Sequence, residues 1–470
     1  MQKGFYVGFA RADISPTVCS VPMGGFGATE HRLSGVIGDP LYVNAVAIRS
    51  GEETILYLAL DVLGVVPKRV AIYREAVSEK TGIPCDRIFI TASHTHSGPC
   101  PRSEIPNAEK YRKEQLIPTL VDAGYRAVTD LKPAELSYGT IEVGNPNCRM
   151  NFDRHYYVVE KGKEDNYTEE DLHFADFTWP QYFRDKEHYT FVKHLERQDP
   201  RLHILRFDRD GADDVILFNF AAHATFVGRY DSPLISADWP GATVERVEKI
   251  FPGTKCAFLQ GCCGNLVPET RIDDEIIQGL TASGQISDHR AYASVIAGYA
   301  RRLLMKNMKK SESTELSVRH EVVTYKYDHT LDHLSEKAEQ ALELFRKEGS
   351  TPRASELCRS FGFTHVHACT GVAKRAKLPQ TGDVELNAIR IGDCGIATIP
   401  FEPWCSMGEY IKDHSPFAMT IANGYSCGYL SYLPTLQAHP NCYERAQMPY
   451  EMGTAEAIQE KLSQMLNELK

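Results

Sequence analysis

Residues 41–97 constrain the fold more than any other part of this chain. "LYVNAVAIRSGEETILYLALDVLG" reads as two strands joined through Ser50-Gly51, because β-branched and aromatic runs flank a turn dipeptide. "PKRVAIYREAVSEKTGI" carries apolar residues near helical spacing and stops at Gly82, and "DRIFITAS" returns to strand composition. This strand, helix, strand pattern is that of an α/β sheet, and it ends at His94-Thr95-His96. The logic recurs in "RLHILRFDRDGADDVILFNFAAHAT": a strand, an Asp210-Gly211 turn, a second strand, and His223 at its end. Reactive side chains commonly sit at such ends, where the sheet holds them rigidly and the following loop stays adaptable.

Asp288 to Lys310 and Leu331 to Lys347 read as helices with charge on one solvated face. Residues 150–195, rich in aromatics and charges, lack clear periodicity and are expected to form a surface excursion, a wall or lid of a substrate cleft. There is no internal repeat and no Pro/Gly/Ser-rich linker. Length alone suggests about two to three domains, but the continuity of the pattern favours one large domain over residues 1–470.

Hydrophobic content of 43% and charged content of 24% exclude disorder as an explanation for any of this. A net charge of −10 argues against a nucleic-acid partner or an anionic membrane and favours a neutral or weakly polar small-molecule substrate. No apolar run approaches the ~18 residues of a membrane span. The N-terminus shows no signal-peptide core, although a trimmed leader would escape this reading. The thirteen cysteines lack zinc-ribbon spacing and read as reduced thiols, so a cytoplasmic location is expected. Homo-oligomerisation is left open.

Candidate chemistry gathers in five places. On an extended strand His94 and His96 share a face and offer two imidazoles, which suit zinc; strand-end histidines that merely hydrogen-bond show the same spacing. His223 is read either as a ligand or as a satisfied core histidine. Glu402, between Pro400 and Pro403, is either a buried carboxylate that needs a partner or a charge at a helix start. Tyr425, Tyr429 and Tyr432 are donors, acids, metal ligands or packing residues. The small residues of "LQGCCGNLVPE" expose backbone N–H groups that suit an oxyanion. No P-loop or dinucleotide fingerprint follows a strand.

In order along the chain, "GFARADISP", "GDPLYVNAVAI", "LALDVLGV", "ASHTHSGP", "DPRLHILRF", "AAHAT", "ISADWPG", "FLQGCCGNLVP", "IPFEP" and "GYLSYLPT" resemble the neutral, non-lysosomal ceramidases. The resemblance implies an α/β catalytic domain with mixed β-sheets flanked by helices around one zinc ion. It implies His94, His223, Glu402 and a tyrosine as metal ligands. Counting back from "YLPT" selects Tyr429, and counting forward from "IAN" selects Tyr425; Tyr429 is favoured. His96 then falls beside the metal as a catalytic histidine, Arg149 in "NPNCRMNF" as a residue that stabilises negative charge, and Asp238 as an orienting carboxylate.

The departures are equally informative. The family's G-D-x-S-P turn reads "GNLVP" here, so Asn265 replaces the aspartate and Val267 replaces the nucleophilic serine. An immunoglobulin-like domain of the ceramidase kind is not expected after the tyrosine motif. The expected activity is therefore a zinc-dependent hydrolase, with metal-activated water attacking a soluble amide or ester other than ceramide, one with a sugar-like polar part among the options. His96 would move protons, and Arg149 with the backbone at Gly264 and Asn265 would hold the oxyanion. The alternatives are a metal-dependent lyase or glycoside-cleaving enzyme acting on a carbohydrate, with Tyr432 or His96 as base, and a non-catalytic ligand-binding relative.

Overall fold

The computed structural model describes residues 4–26, 32–100, 102–145, 148–176, 188–228, 232–269, 288–349, 351–363 and 366–470. Strands β1 (Phe5–Asp13), β2 (Tyr42–Ser50), β3 (Glu53–Leu60), β4 (Ile88–Ala92), β5 (Lys132–Glu142), β6 (Arg201–Arg209), β7 (Asp214–Phe220) and β8 (Thr254–Gln260) form one sheet in the order β8-β7-β6-β5-β1-β2-β3-β4. The strands after the helix at Pro67–Thr81 fit the expected pattern. Gly51 and Gly82, at φ of 60° and 74°, supply the left-handed turn and helix stop that the sequence signalled. A second sheet follows from β9 (Leu316–Lys326), β10 (Thr381–Ile391), β11 (Cys394–Thr398) and β12 (Met419–Asn423).

The two sheets pack face to face, and the period of two along each strand divides the side chains between layers. Ile55 and Tyr57 of β3 and Val215 and Leu217 of β7 meet Ile389, Ile396 and Ile421 of the second sheet in one core. Leu56, Leu58 and Leu60 turn the other way, onto the helices Pro67–Thr81 and Ile117–Thr129. Ile216, Phe218 and Phe220 pack on the helices Asp238–Ile250 and His289–Lys306. The far face of the second sheet is covered by the helices Cys405–Asp413 and Thr454–Asn467. The strands Glu53–Leu60, Ile88–Ala92, Asp214–Phe220, Thr254–Gln260, Cys394–Thr398 and Met419–Asn423, covered on both faces, are nearly continuous apolar runs. This is a single domain of mixed sheets flanked by helices, as expected.

Within these two sheets most described neighbours are antiparallel, but three pairs are parallel: β3 with β4, β7 with β8, and β11 with β12. Their last registered partners are Leu60 with Ala92, Phe220 with Gln260, and Thr398 with Asn423. The carboxyl ends of these strands therefore deliver their loops to a common place, where ligands bind in α/β sheets.

Residues 150–195 differ from the expectation of an irregular excursion. Asn151–Asp153 pairs with Leu266–Pro268, and His155–Glu160, His173–Asp176 and Tyr189–His194 make a three-stranded antiparallel sheet. The pairing is long-range and shifts register at Tyr157/Val158, which hides the alternation from a local reading. Residues 177–187 of that stretch lie outside the described residues.

Candidate metal centre

β4 runs out at Ala92, and the chain then bends sharply at His94, whose φ is 61°. The His94 N–H bonds the carbonyl of Val62 at 3.0 Å, and the His96 N–H bonds that of Ala224 at 3.1 Å. Thr95 and Ala224 form a parallel bridge, so the loops carrying His96 and His223 are stitched together. Gln260, the last residue of β8, is fully buried, and its amide donates at 3.0 Å to the carbonyls of both Ser93 and Ala222. These residues immediately precede His94 and His223. One side chain thus sets the spacing of the two imidazoles.

The ring geometry that results is specific. His94 Nδ1–H donates to the Leu63 carbonyl at 2.7 Å, and His223 Nδ1–H to the Leu266 carbonyl at 2.9 Å. A carbonyl only accepts, so each proton sits on Nδ1 and each Nε2 presents a lone pair. Both Nε2 atoms face Glu402 Oε2, at 3.3 Å from His94 and 3.5 Å from His223. Both are buried, and His223 Nε2 and Glu402 Oε2 have no hydrogen-bond partner among the described residues. Acceptors so arranged are costly unless a cation sits among them. Bonds of about 2.0–2.1 Å to a tetrahedral ion put donor atoms roughly 3.3 Å apart, the spacing found here. The residues therefore fit a zinc-type ion.

Burial alone raises the Glu402 pKa; positive charge beside it, on the His94 or His223 ring or on a cation among the three, outweighs burial and holds it well below the usual range. Burial pushes the His223 and His96 imidazoles down, the latter further lowered by His94 and His223, which keeps both rings neutral. Tyr429 donates its hydroxyl to Glu402 Oε1, and its pKa is raised by burial and by that carboxylate.

His96 stands apart from the other two histidines. Its Nε2 is 3.2 Å from His94 Nε2, and the ligand atoms of His94, His96 and His223 lie within 4.8 Å of one another. Its Nδ1, however, has no hydrogen-bond partner among the described residues. Metal-bound histidines almost always donate their second N–H to an oxygen; His94 and His223 do so and His96 does not. Its ring packs edge-on to Phe26 and lies directly against Gly25, where a Cβ would come within 2.4 Å of it.

The remaining candidates separate clearly. Tyr425 is stacked on His94 and its hydroxyl meets Cys263 Sγ at 3.1 Å. Tyr432 pairs through its backbone with Glu402 and is buried. Asn265 is fully buried; its amide donates to Glu196 at 3.2 Å and accepts from the Cys405 N–H at 2.9 Å, so the side chain ties the loop down. Gly264 corrects one expectation: its N–H is bonded to the Pro403 carbonyl at 2.8 Å and is not offered to an oxyanion. Asp238 accepts from the N–H groups of Val227 and Trp239 and braces that turn, while carbonyls of Leu63 and Leu266 orient the histidines. The side chain of Arg149 lies outside the described residues.

Sequence reading missed Arg154. Its guanidinium stands 5.9 Å from the ring centroid of Tyr432 and 5.4 Å from that of Tyr443. Glu444 holds it at 2.5 Å, and Glu444 is bonded at 2.8 Å to His155 Nε2, whose Nδ1 meets Asp153 at 2.8 Å. His155, Glu444 and Cys442 are also close enough to be read as ligands, but both ring nitrogens already bond carboxylates at hydrogen-bond distance. The cluster is a buried brace for Arg154.

No known family's sequence profile matches the chain. Among solved structures, the neutral ceramidase from Pseudomonas aeruginosa is similar with a TM-score of 0.70 and 18% identity, over 100% of this chain and 75% of that one. A ceramidase complexed with C2 is similar with a TM-score of 0.68 and 19% identity, over the same shares. The chain has the neutral ceramidase fold. Within that fold Val267 lies on the Leu266–Pro268 strand, next to the residue whose carbonyl orients His223. No described helix is long and apolar enough to cross a membrane.

Proposed function

We propose that this protein is a metal-dependent hydrolase that cleaves an amide or ester bond in a small soluble substrate other than ceramide. The observation that carries the reading is the pair of buried, unpartnered acceptors, His223 Nε2 and Glu402 Oε2, aimed at each other and at His94 Nε2. His94, His223, Glu402 and Tyr429 would hold the ion. A zinc ion in such a setting lowers the pKa of water to about 7 and polarises a carbonyl oxygen.

The chain's own residues supply the remainder. Neutral His96, at the centre but unanchored at Nδ1, takes a proton from the attacking water and returns it to the leaving group. Arg149 stabilises charge developing on the acyl oxygen, and Tyr432, beside Glu402, orients the substrate. Asn265 acts as a positioning residue through Glu196 and Cys405. Val267 has no nucleophilic atom, which is why water is assigned the attack and ceramide is set aside.

The test is turnover on a panel of soluble amides, esters and glycosides, some sugar-bearing, before and after chelation. The reading expects activity to vanish with the metal, to return with added zinc, and to place one solvent oxygen in the product. Turnover indifferent to chelator and zinc ends it. An ultraviolet-absorbing unsaturated product without solvent oxygen would favour the carbohydrate lyase instead.

A further inference from the structure

The His96 ring lacks the carbonyl bond at Nδ1 that fixes His94 and His223, yet it is buried and packed in one place. Its surroundings lead to Arg32. The buried guanidinium of Arg32 donates from Nη1 to the His96 carbonyl at 2.5 Å and to the Gly24 carbonyl at 3.0 Å. Its Nε donates to the Ser232 carbonyl at 3.1 Å, and its Nη2 to Ser97 Oγ at 3.2 Å, a hydroxyl that donates in turn to the Val227 carbonyl at 2.6 Å. The same guanidinium lies 5.0 Å from the centroid of the Phe26 ring, and Phe26 meets the His96 ring edge-on at 4.9 Å. One planar group thus grips the backbone of His96 and backs the ring against which its imidazole rests.

Two glycines make room for this arrangement. A Cβ on Gly228 would come within 2.4 Å of Arg32 Nη2 and 2.5 Å of Ser97 Oγ, as one on Gly25 would strike the His96 ring. Both hold positive φ, 87° and 107°, so the two loops take the shape that these side chains require. All the acceptors on Arg32 are neutral, and it has no carboxylate partner among the described residues. Burying a charge without its opposite is costly, and burial pushes the Arg32 pKa down to about 10. An apolar side chain would cover Phe26 at less cost. A lysine would offer its donors from one point, whereas a guanidinium fork reaches these four acceptors while facing a ring.

We propose that Arg32 is a positioning residue for His96: through the His96 carbonyl and the Phe26 ring it keeps the imidazole in one orientation beside the metal ligands, with Nδ1 left uncommitted. The catalytic consequence rests on the hydrolase reading above; the clamp itself does not.

Two measurements on the zinc-treated full chain test it. Carbethoxylation by diethyl pyrocarbonate, followed residue by residue with peptide mass spectrometry, reads the freedom of each imidazole without turnover. In Arg32→Ala and in Phe26→Ala the His96 ring should react several-fold faster than in the wild type, while His94 and His223, held by their Nδ1 bonds, keep their wild-type rates. Arg32→Lys, which keeps the charge and loses the fork, should resemble Arg32→Ala. Unaltered His96 reactivity in folded Arg32→Ala or Phe26→Ala, equal acceleration at all three histidines, or full recovery with lysine refutes the clamp.

Hydrolysis of 4-nitrophenyl acetate supplies the second readout. In Arg32→Ala kcat should fall roughly 10²-fold with KM and zinc stoichiometry unchanged, and the same substitution should cost little in a His96→Ala background, because the two residues act as a unit. An equal loss in both backgrounds, or loss of zinc in parallel with turnover, would make Arg32 a structural residue only. His96 released in Arg32→Ala, with no zinc-dependent turnover in the wild type, supports the clamp and counts against the hydrolase; zinc-dependent turnover that Arg32→Ala leaves intact does the reverse.

Discussion

The Tyr425 ring lies stacked on His94, with centroids 4.0 Å apart and planes at 29°, and both residues hold positive φ, 55° and 61°. Backbone of this kind costs of order 1–3 kcal/mol per residue and persists only where the surroundings over-determine it. Here they do: the Ala92 N–H bonds the Tyr425 carbonyl at 3.2 Å, and the Tyr425 N–H bonds that of Phe401 at 3.0 Å. Two strand ends are thus locked so that one ring fixes the plane of the other.

Tyr425 is accordingly expected to act through its ring. Tyr425→Ala should destabilise the fold by about 3–5 kcal/mol, as other large buried aromatic truncations do, and should weaken zinc binding by freeing His94. Tyr425→Phe should preserve zinc affinity, because the lost hydroxyl touches only Cys263. Urea unfolding with zinc titration checks both; a Phe variant as impaired as the Ala variant would place the hydroxyl in the site.

Gln260→Leu removes both bonds to Ser93 and Ala222 and leaves two buried carbonyls unpaired. We expect a loss of about 1–3 kcal/mol per orphaned group at most and a roughly 10–100-fold loss of metal affinity. Unchanged zinc affinity would show that Gln260 does not set the histidine spacing.

Gly25→Ala places a Cβ within 2.4 Å of the His96 ring at a residue whose φ is 107°. His96 must move while His94, His223 and Glu402 stay where they are. Turnover should fall toward that of His96→Ala, roughly 10²–10⁴-fold, with zinc stoichiometry unchanged. Loss of zinc in parallel with turnover would contradict this.

Glu196 is pushed up to about 7 by burial first and by Asp153 second, from an ordinary 4.5. The folded chain then keeps a proton that the unfolded chain has lost, so stability falls as pH rises from about 4.5 to about 7. Glu196→Gln should flatten that decline by on the order of 3 kcal/mol. Asp61 and Asp238, both raised to about 6 by burial, contribute in the same sense and remain in the variant. Equal pH dependence of urea midpoints in the two proteins would exclude Glu196 as its source.

Local signals carried the strands at Tyr42–Ser50 and Glu53–Leu60, the helix Pro67–Thr81, and the histidines that end β4 and β7, because period and turn chemistry are readable over a few residues. The motif order also placed Glu402 and Tyr429 together. What escaped was non-local. Gln260 is one polar residue at the end of an apolar strand, and only the packing of three strand ends shows that it bonds the residues before both histidines. Arg154 was hidden inside 150–195, where pairing partners lie tens of residues apart. The Gly264 N–H looked available in the Gly-rich turn, and only tertiary structure shows the Pro403 carbonyl on it.

The most direct test is the zinc stoichiometry of the purified protein, measured by mass spectrometry of the native species during zinc titration. The wild type should bind one zinc ion, His94→Ala and Glu402→Gln should lose it, and His96→Ala should retain it. A folded wild type that takes up no zinc, or a His96→Ala protein that loses it as fully as His94→Ala, would contradict the account.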